Sequence, residues 1–157
     1  MKILRYTNLF LVLAVLIGIA LFFSRYELFQ VPRADGAMEP FAKRGRWFLL
    51  TRVRDAGQSL RRGDVVTYLD PMSSEDDMRM GRVVGLPGET VAVRNRSLFV
   101  GGSKMDESYL RDAAPEDFPE ILVPRGRVFV LNDNRADVSD SRKYGPFPGV
   151  ILRGRTR

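Results

Sequence analysis

The pattern of apolar and polar positions changes character once along this chain. From Leu9 to Phe23 (LFLVLAVLIGIALFF) fifteen consecutive residues carry no polar side chain. Tyr6, Thr7, Asn8 and Ser24 extend the tolerable stretch to nineteen residues, 6–24. As a helix rising about 1.5 Å per residue it reaches roughly 28 Å, close to the ~30 Å hydrocarbon core of a bilayer. A helix apolar on every face is hard to enclose in a domain this small. A cleaved secretory leader is the rival reading, because Lys2 and Arg5 form a basic n-region. No small-x-small site follows the run, however; the chain continues Phe22, Phe23, Ser24, Arg25, Tyr26. Residues 1–29 therefore read as a membrane anchor with one span. Lys2, Arg5 and the amino terminus favour a cytoplasmic N-terminus, with Arg25 and Arg33 weakening the bias, and the remainder outside the cytoplasm.

From residue 30 to 157 the pattern becomes short runs rich in β-branched and aromatic residues. Trp47–Val53, Val65–Leu69, Met80–Val84, Thr90–Arg94, Ser97–Val100 and Arg127–Leu131 read as strands. Turn signals separate them: Arg62-Gly63-Asp64, Leu86-Pro87-Gly88-Glu89, Arg94-Asn95-Arg96 and Gly101-Gly102. Ser73–Asp77 and Asp112–Glu120 are acidic or proline-containing and read as loops, and no sustained helical period appears. The fold class expected is mainly β: one all-β domain tethered by one N-terminal transmembrane helix.

Composition narrows the chemistry. The 157 residues include no cysteine and no histidine, which excludes disulfides, thiol nucleophiles, Cys-metal sites and any Ser-His-Asp mechanism. No metal or cofactor is expected. Net charge is +6, yet beyond residue 29 the chain carries 22 Lys and Arg against 18 Asp and Glu, interspersed rather than clustered. A nucleic-acid partner needs a contiguous basic stripe and is not expected. Lys43, Arg44 and Arg46 precede Trp47-Phe48-Leu49-Leu50; this stretch reads as a buried strand behind a basic turn, or as a surface dipping into the bilayer.

Four segments in order carry a recognisable pattern: Asp35-Gly36-Ala37-Met38-Glu39-Pro40; Arg62-Gly63-Asp64-Val65-Val66; Gly81-Arg82-Val83-Val84-Gly85-Leu86-Pro87-Gly88-Glu89; and Asn132-Asp133-Asn134-Arg135 with Ser139-Asp140-Ser141-Arg142 and Tyr144-Gly145. Together, over residues 1 to about 149, they resemble the bacterial type I signal peptidases. These membrane-anchored Ser/Lys proteases of peptidase family S26 remove signal peptides from secreted preproteins. The resemblance implies coiled antiparallel sheets, an inner-membrane location and a serine nucleophile activated by a lysine. A lysine takes a proton only when neutral, so the family buries its ammonium to lower the pKa. A second hydroxyl orients the amine, and a backbone N–H with another hydroxyl holds the oxyanion.

Carried over residue by residue, that machinery is absent. The nucleophile position is Ala37, the general-base position Gly81, the oxyanion-hydroxyl position Asp35 and the lysine-orienting position Val138. No serine lies between Ser24 and Thr51 and no lysine between Lys43 and Lys104, so no local shift restores the dyad. Ser139 lies one residue past Val138, with nothing to orient. Gly63, Asp64, Arg82, Gly85, Pro87, Gly88, Asp133, Asn134, Arg135, Asp140, Ser141 and Arg142 keep the family's structural motif, with Arg82, Asp140 and Arg142 expected in a charged network. Asp35, Gly36, Ala37, Met38, Gly81, Arg82 and Val83 are the peptide-groove candidates. Phe41-Ala42 and Gly45-Arg46 depart from the family's usual Thr-Leu and Gly-Asp. The expectation is a membrane-anchored homologue without proteolysis, binding exported polypeptides as an added strand or associating with an active paralogue. Its partners would also include membrane lipid. The alternative is an active peptidase with relocated groups, drawn from Lys43, Ser139 and Asp35.

Overall fold

The computed structural model describes residues 2–53, 60–73, 77–110 and 116–156. The apolar run forms α1 (Lys2–Arg25), and none of its Asn8–Arg25 window is buried, so it is not a core helix. By length and composition α1 is a candidate membrane span. No linker follows. The chain passes directly into β1 (Tyr26–Gln30), which pairs antiparallel with β2 (Trp47–Arg52).

The remaining elements are β3 (Val65–Leu69), β4 (Met78–Gly85), β5 (Thr90–Arg94), β6 (Ser97–Val100), β7 (Ser103–Lys104), β8 (Phe118–Leu122), β9 (Arg127–Leu131), the one-turn helix α2 (Ser141–Tyr144), β10 (Phe147–Pro148) and β11 (Leu152–Thr156). They build a seven-stranded sheet, β1-β2-β11-β3-β4-β9-β10, and a four-stranded sheet, β7-β6-β5-β8. Every strand pairing among the described residues is antiparallel. The mainly-β expectation holds. One local reading is corrected: Phe118–Glu120, expected as loop, lies in β8; a one-turn helix, too short to show a sustained period, also stands at Ser141–Tyr144. Pro119 is tolerated because β8 is an edge strand. The loop expected at Ser73–Asp77 falls partly on residues 74–76, and that at Asp112–Glu120 partly on 112–115, outside the described residues.

Period-two alternation divides the core among three clusters. Val66 and Tyr68 of β3, Val83 of β4 and Val128 and Val130 of β9 share one face with Phe147 and Leu152. Val84, Phe129 and Leu131 point the other way and meet Val91, Val93, Leu98, Val100 and Val123, closing the small sheet on the large one. Val65, Met80 and Leu50 pack with Val31, Met38 and Ala42, which fastens the segment between β1 and β2 to the sheet. The two-residue turn at Asn95-Arg96 has positive φ at both positions (49° and 61°), the geometry that matches the twist of a tight hairpin. Gly85 has no room for a side chain: a Cβ there would lie 2.5 Å from Val91 Cγ2 and 2.9 Å from Phe129 Cβ.

Candidate functional site

The Asp35–Met38 segment sits between β1 and β2, where contact with the 132–135 turn holds it. Ala37 and Met38 are buried. Ala37 O accepts from Asn134 N at 2.8 Å, and the Met38 thioether accepts from Asp133 N at 3.4 Å. Ala37 N donates to Asp35 Oδ1 at 2.9 Å, so the carboxylate folds back on the amide two residues ahead, as Asx side chains do in turns. A backbone N–H that polarised a substrate carbonyl here would first have to lose that carboxylate, and no hydroxyl stands at position 37.

Gly81 lies in β4 opposite Val66 and is buried. An added Cβ would stand 2.4 Å from Val130 Cγ1, 3.3 Å from Tyr68 Cε1 and 3.7 Å from Asn132 Oδ1. Tyr68 is fully buried, and its hydroxyl donates to Ser139 O at 3.2 Å. Burial first, then the charge of Asp140, pushes the Tyr68 phenol far above its ordinary range; it stays neutral and is no base. Asn132 donates through Nδ2 to Asp137 O at 3.1 Å, while its Oδ1 meets no protein donor among the described residues.

Val138 is exposed. Ser139 is held on both sides: its N donates to Asp137 Oδ1 at 2.9 Å, its hydroxyl donates to the same carboxylate, and Arg79 Nη1 donates to the hydroxyl oxygen at 2.8 Å. Arg79 also pairs with Asp70 at 2.7 Å. Lys43 is exposed to solvent.

Three buried ion pairs frame this region. Arg82 grips Asp133 with two parallel bonds (Nε–Oδ1 2.8 Å, Nη2–Oδ2 2.5 Å) and reaches Gly63 O at 3.0 Å. Tyr109 and Phe41 lie against its guanidinium at 4.2 and 5.2 Å. Arg142 binds Asp140 (Nη2–Oδ2 2.7 Å) and also Arg135 O and Asp137 O. Asp140 caps α2 by accepting from Arg142 N and binds Asn132 N at 3.0 Å, while Ser141 Oγ accepts from Val130 N at 3.0 Å. Arg135, fully buried, pairs with Glu107. Asp64 accepts from Arg61 N at 2.9 Å, and Gly63 and Gly88 adopt positive φ at their turns (91° and 87°).

A groove of about 480 Å³ opens beside Asp35, lined by Phe29, Gln30, Pro32, Asp77, Met78 and Arg79. Asp137 also faces it. Of the seven groove candidates from sequence, Asp35 and Gly36 line it; Ala37, Met38, Gly81, Arg82 and Val83 are buried instead. β4 pairs with β9 only from Arg82 onward, so among the described residues Met78–Gly81 have no strand partner on that side. Sequence alone assigns no role to Tyr68, Arg79 or Asp137. Nothing in the strand pattern of Val65–Leu69 distinguishes Tyr68 from a core aromatic, and Asn132 enters only as the first letter of a motif.

An antiparallel double-sheet β domain that follows one apolar helix and carries these four segments is the signal-peptidase architecture. A family model described as signal peptidase, peptidase S26, matches residues 4–157. The chain belongs to this family. It is 34% identical over 142 residues to signal peptidase I of Bacillus amyloliquefaciens, covering 82% of this chain and 72% of that one. It is 33% identical over 119 residues to signal peptidase I S of Bacillus subtilis (strain 168), covering 69% of this chain and 62% of the relative. The crystal structure of a signal peptidase I from Enterococcus faecalis V583 superposes with a TM-score of 0.56 at 28% identity, over 64% of this chain and 98% of that one.

Proposed function

We propose that this chain is a membrane-anchored signal peptidase homologue that binds extended exported polypeptides without cleaving them. One observation carries the reading. Ala37, at the nucleophile position, has neither hydroxyl nor free amide, its N–H being bound by Asp35. Gly81 offers no amine at the base position. What remains suited to binding is the groove and the unpaired edge of β4 beside it. An extended segment can add there as a strand through main-chain hydrogen bonds.

The anchor and the outer face of the β1–β2 hairpin support placement at a membrane. Leu28, Trp47 and Leu49 are 63%, 59% and 50% exposed, and the register sets Leu28 opposite Leu49 and Gln30 opposite Trp47. All of these lie on the sheet face turned away from Leu50. This apolar patch adjoins α1 and fits the headgroup region, where tryptophan concentrates. We assign the N-terminus to the cytoplasm and the β domain to the far side of the inner membrane, with lipid, exported chains or an active paralogue as partners.

The rival reading, peptidase activity from relocated groups, draws on the Ser139 hydroxyl bound to Asp137. Asp137 binds the Ser139 amide as well, and Arg79 occupies the hydroxyl oxygen, which is the arrangement of a turn cap. The deciding experiment incubates the full-length protein in detergent with a preprotein and, separately, with an extended peptide containing a small-x-small site. Binding without cleavage is the expected result. Cleavage that disappears in Ser139→Ala would establish the rival.

A further inference from the structure

Position 81 is where the proposed function locates a lost general base, and the inference rests on that reading. Alternation in β4 and β9 turns position 81 toward the face that carries Val66, Tyr68, Val83 and Val130. Asn132 follows Val130 by two residues and reaches the same point. We propose that this volume is sealed. A methyl of Val130, with Tyr68 close behind it, fills the space that a Cβ at 81 requires, so restoring serine and lysine alone cannot restore proteolysis.

Three features make the seal firm. The 2.4 Å approach comes from a methyl of Val130, a β-branched side chain stiff at χ1 that cannot swing aside as the end of a long chain would. Val130 is fully buried among Leu60, Val83, Val128 and Phe147, so any other rotamer meets packed neighbours. Tyr68 is fixed at both ends, its ring 4.6 Å from that of Phe147 and its hydroxyl on Ser139 O. Gly81 is thus the vacancy that admits Val130 with Tyr68 behind it, and Tyr68 braces, through Ser139 O, the turn that carries Asp137 to the groove. Its role is positioning, not chemical.

The test compares thermal unfolding of the full-length protein in detergent with that of Gly81→Ala, Val130→Ala and the double variant. In an unsealed strand Gly→Ala is neutral or raises Tm. Behind the seal, Gly81→Ala lowers Tm by about 5 °C or more, as overpacking does. Removing the Val130 methyls relieves the clash, so the double variant melts no lower than Val130→Ala alone. Val128→Ala, in the same cluster but away from position 81, adds to Gly81→Ala without relief. An unchanged or raised Tm for Gly81→Ala, or simple additivity with Val130→Ala, overturns the seal. So does preprotein cleavage by a variant carrying Ala37→Ser, Asp35→Ser, Val138→Ser and Gly81→Lys with Val130 and Asn132 intact. Cleavage by the unaltered protein would instead sink the proposed function and leave the melting comparison standing.

Discussion

At Ala37 the backbone amide answers to a carboxylate of its own segment, and that contact can be removed singly. Asp35→Ala frees the amide; its hydrogen-exchange rate rises, and folding stability drops by about 1 kcal/mol, the scale of one such bond. The Arg82–Asp133 pair is costlier to break. Its side chains are 10% and 0% exposed, and a buried ion stripped of its partner costs about 3–5 kcal/mol. Asp133→Asn should therefore lower Tm sharply. Arg82→Lys should not rescue the fold, because an ammonium cannot make the two parallel bonds and lie flat against Tyr109. Tyr68 supplies a pH signature. Its phenol stays protonated in the folded chain past the ordinary value of about 10. The unfolded state therefore gives up this proton first, and stability is full below about pH 10 and falls as pH rises beyond it. Tyr109 acts in the same direction through burial and Glu107. In urea melts from pH 8 to 11, Tyr68→Phe should lower stability uniformly near neutrality and flatten the alkaline decline.

At the scale of elements, what could be read from the chain follows from how much of its own pattern each strand carries. β3, β5, β6 and β9 show β-branched runs between turn signals, and the structure begins and ends them where sequence does. β1 (YELFQ) is invisible because it continues an apolar helix without punctuation. β11 (LRGRT) is central to the large sheet yet looks like a polar tail. Its apolar contribution is Leu152, and Gly154 is required because a Cβ would lie 2.8 Å from Leu50 Cβ. The site is less legible than the fold. The four substituted positions follow from motif spacing, whereas the Asp35–amide bond, the seal and the groove's Arg79 and Asp137 depend on contacts between segments far apart in the chain. β11 gives the sharpest element-level expectation: Gly154→Val should separate β2 from β3 and cost several degrees of Tm, whereas Gly102→Asn, at a turn glycine with φ 78° and open space around it, should be nearly silent because asparagine tolerates that region.

For the whole molecule, the exposed apolar face of the β1–β2 hairpin and the basic residues near it bear on membrane contact. Trp47→Ser with Leu49→Ser should leave Tm within about 2 °C of the parent, since both side chains already face outward. The same pair should raise exposure of the β domain to protease when the protein is reconstituted in vesicles. Loss of stability on this substitution would place the patch in the core instead.

The direct passage from Arg25 of the helix to Tyr26 of the first strand leaves no linker between the anchor and the sheet. Five strand residues at about 3.3 Å each advance roughly 17 Å, and the groove begins at Phe29 and Gln30, the far end of that advance. On the proposed placement, with the helix across the bilayer, that length is an upper bound on the groove's height above the membrane, like the mark on a ruler. Under the proposed function, a polypeptide emerging from the membrane would come level with it within about five extended residues, and no linker between helix and strand extends that reach. Under the proposed function, such a reach would make distance from the membrane, ahead of side-chain chemistry, the first requirement on a bound segment. Inserting five flexible residues between Arg25 and Tyr26 would move the mark without touching a single groove residue.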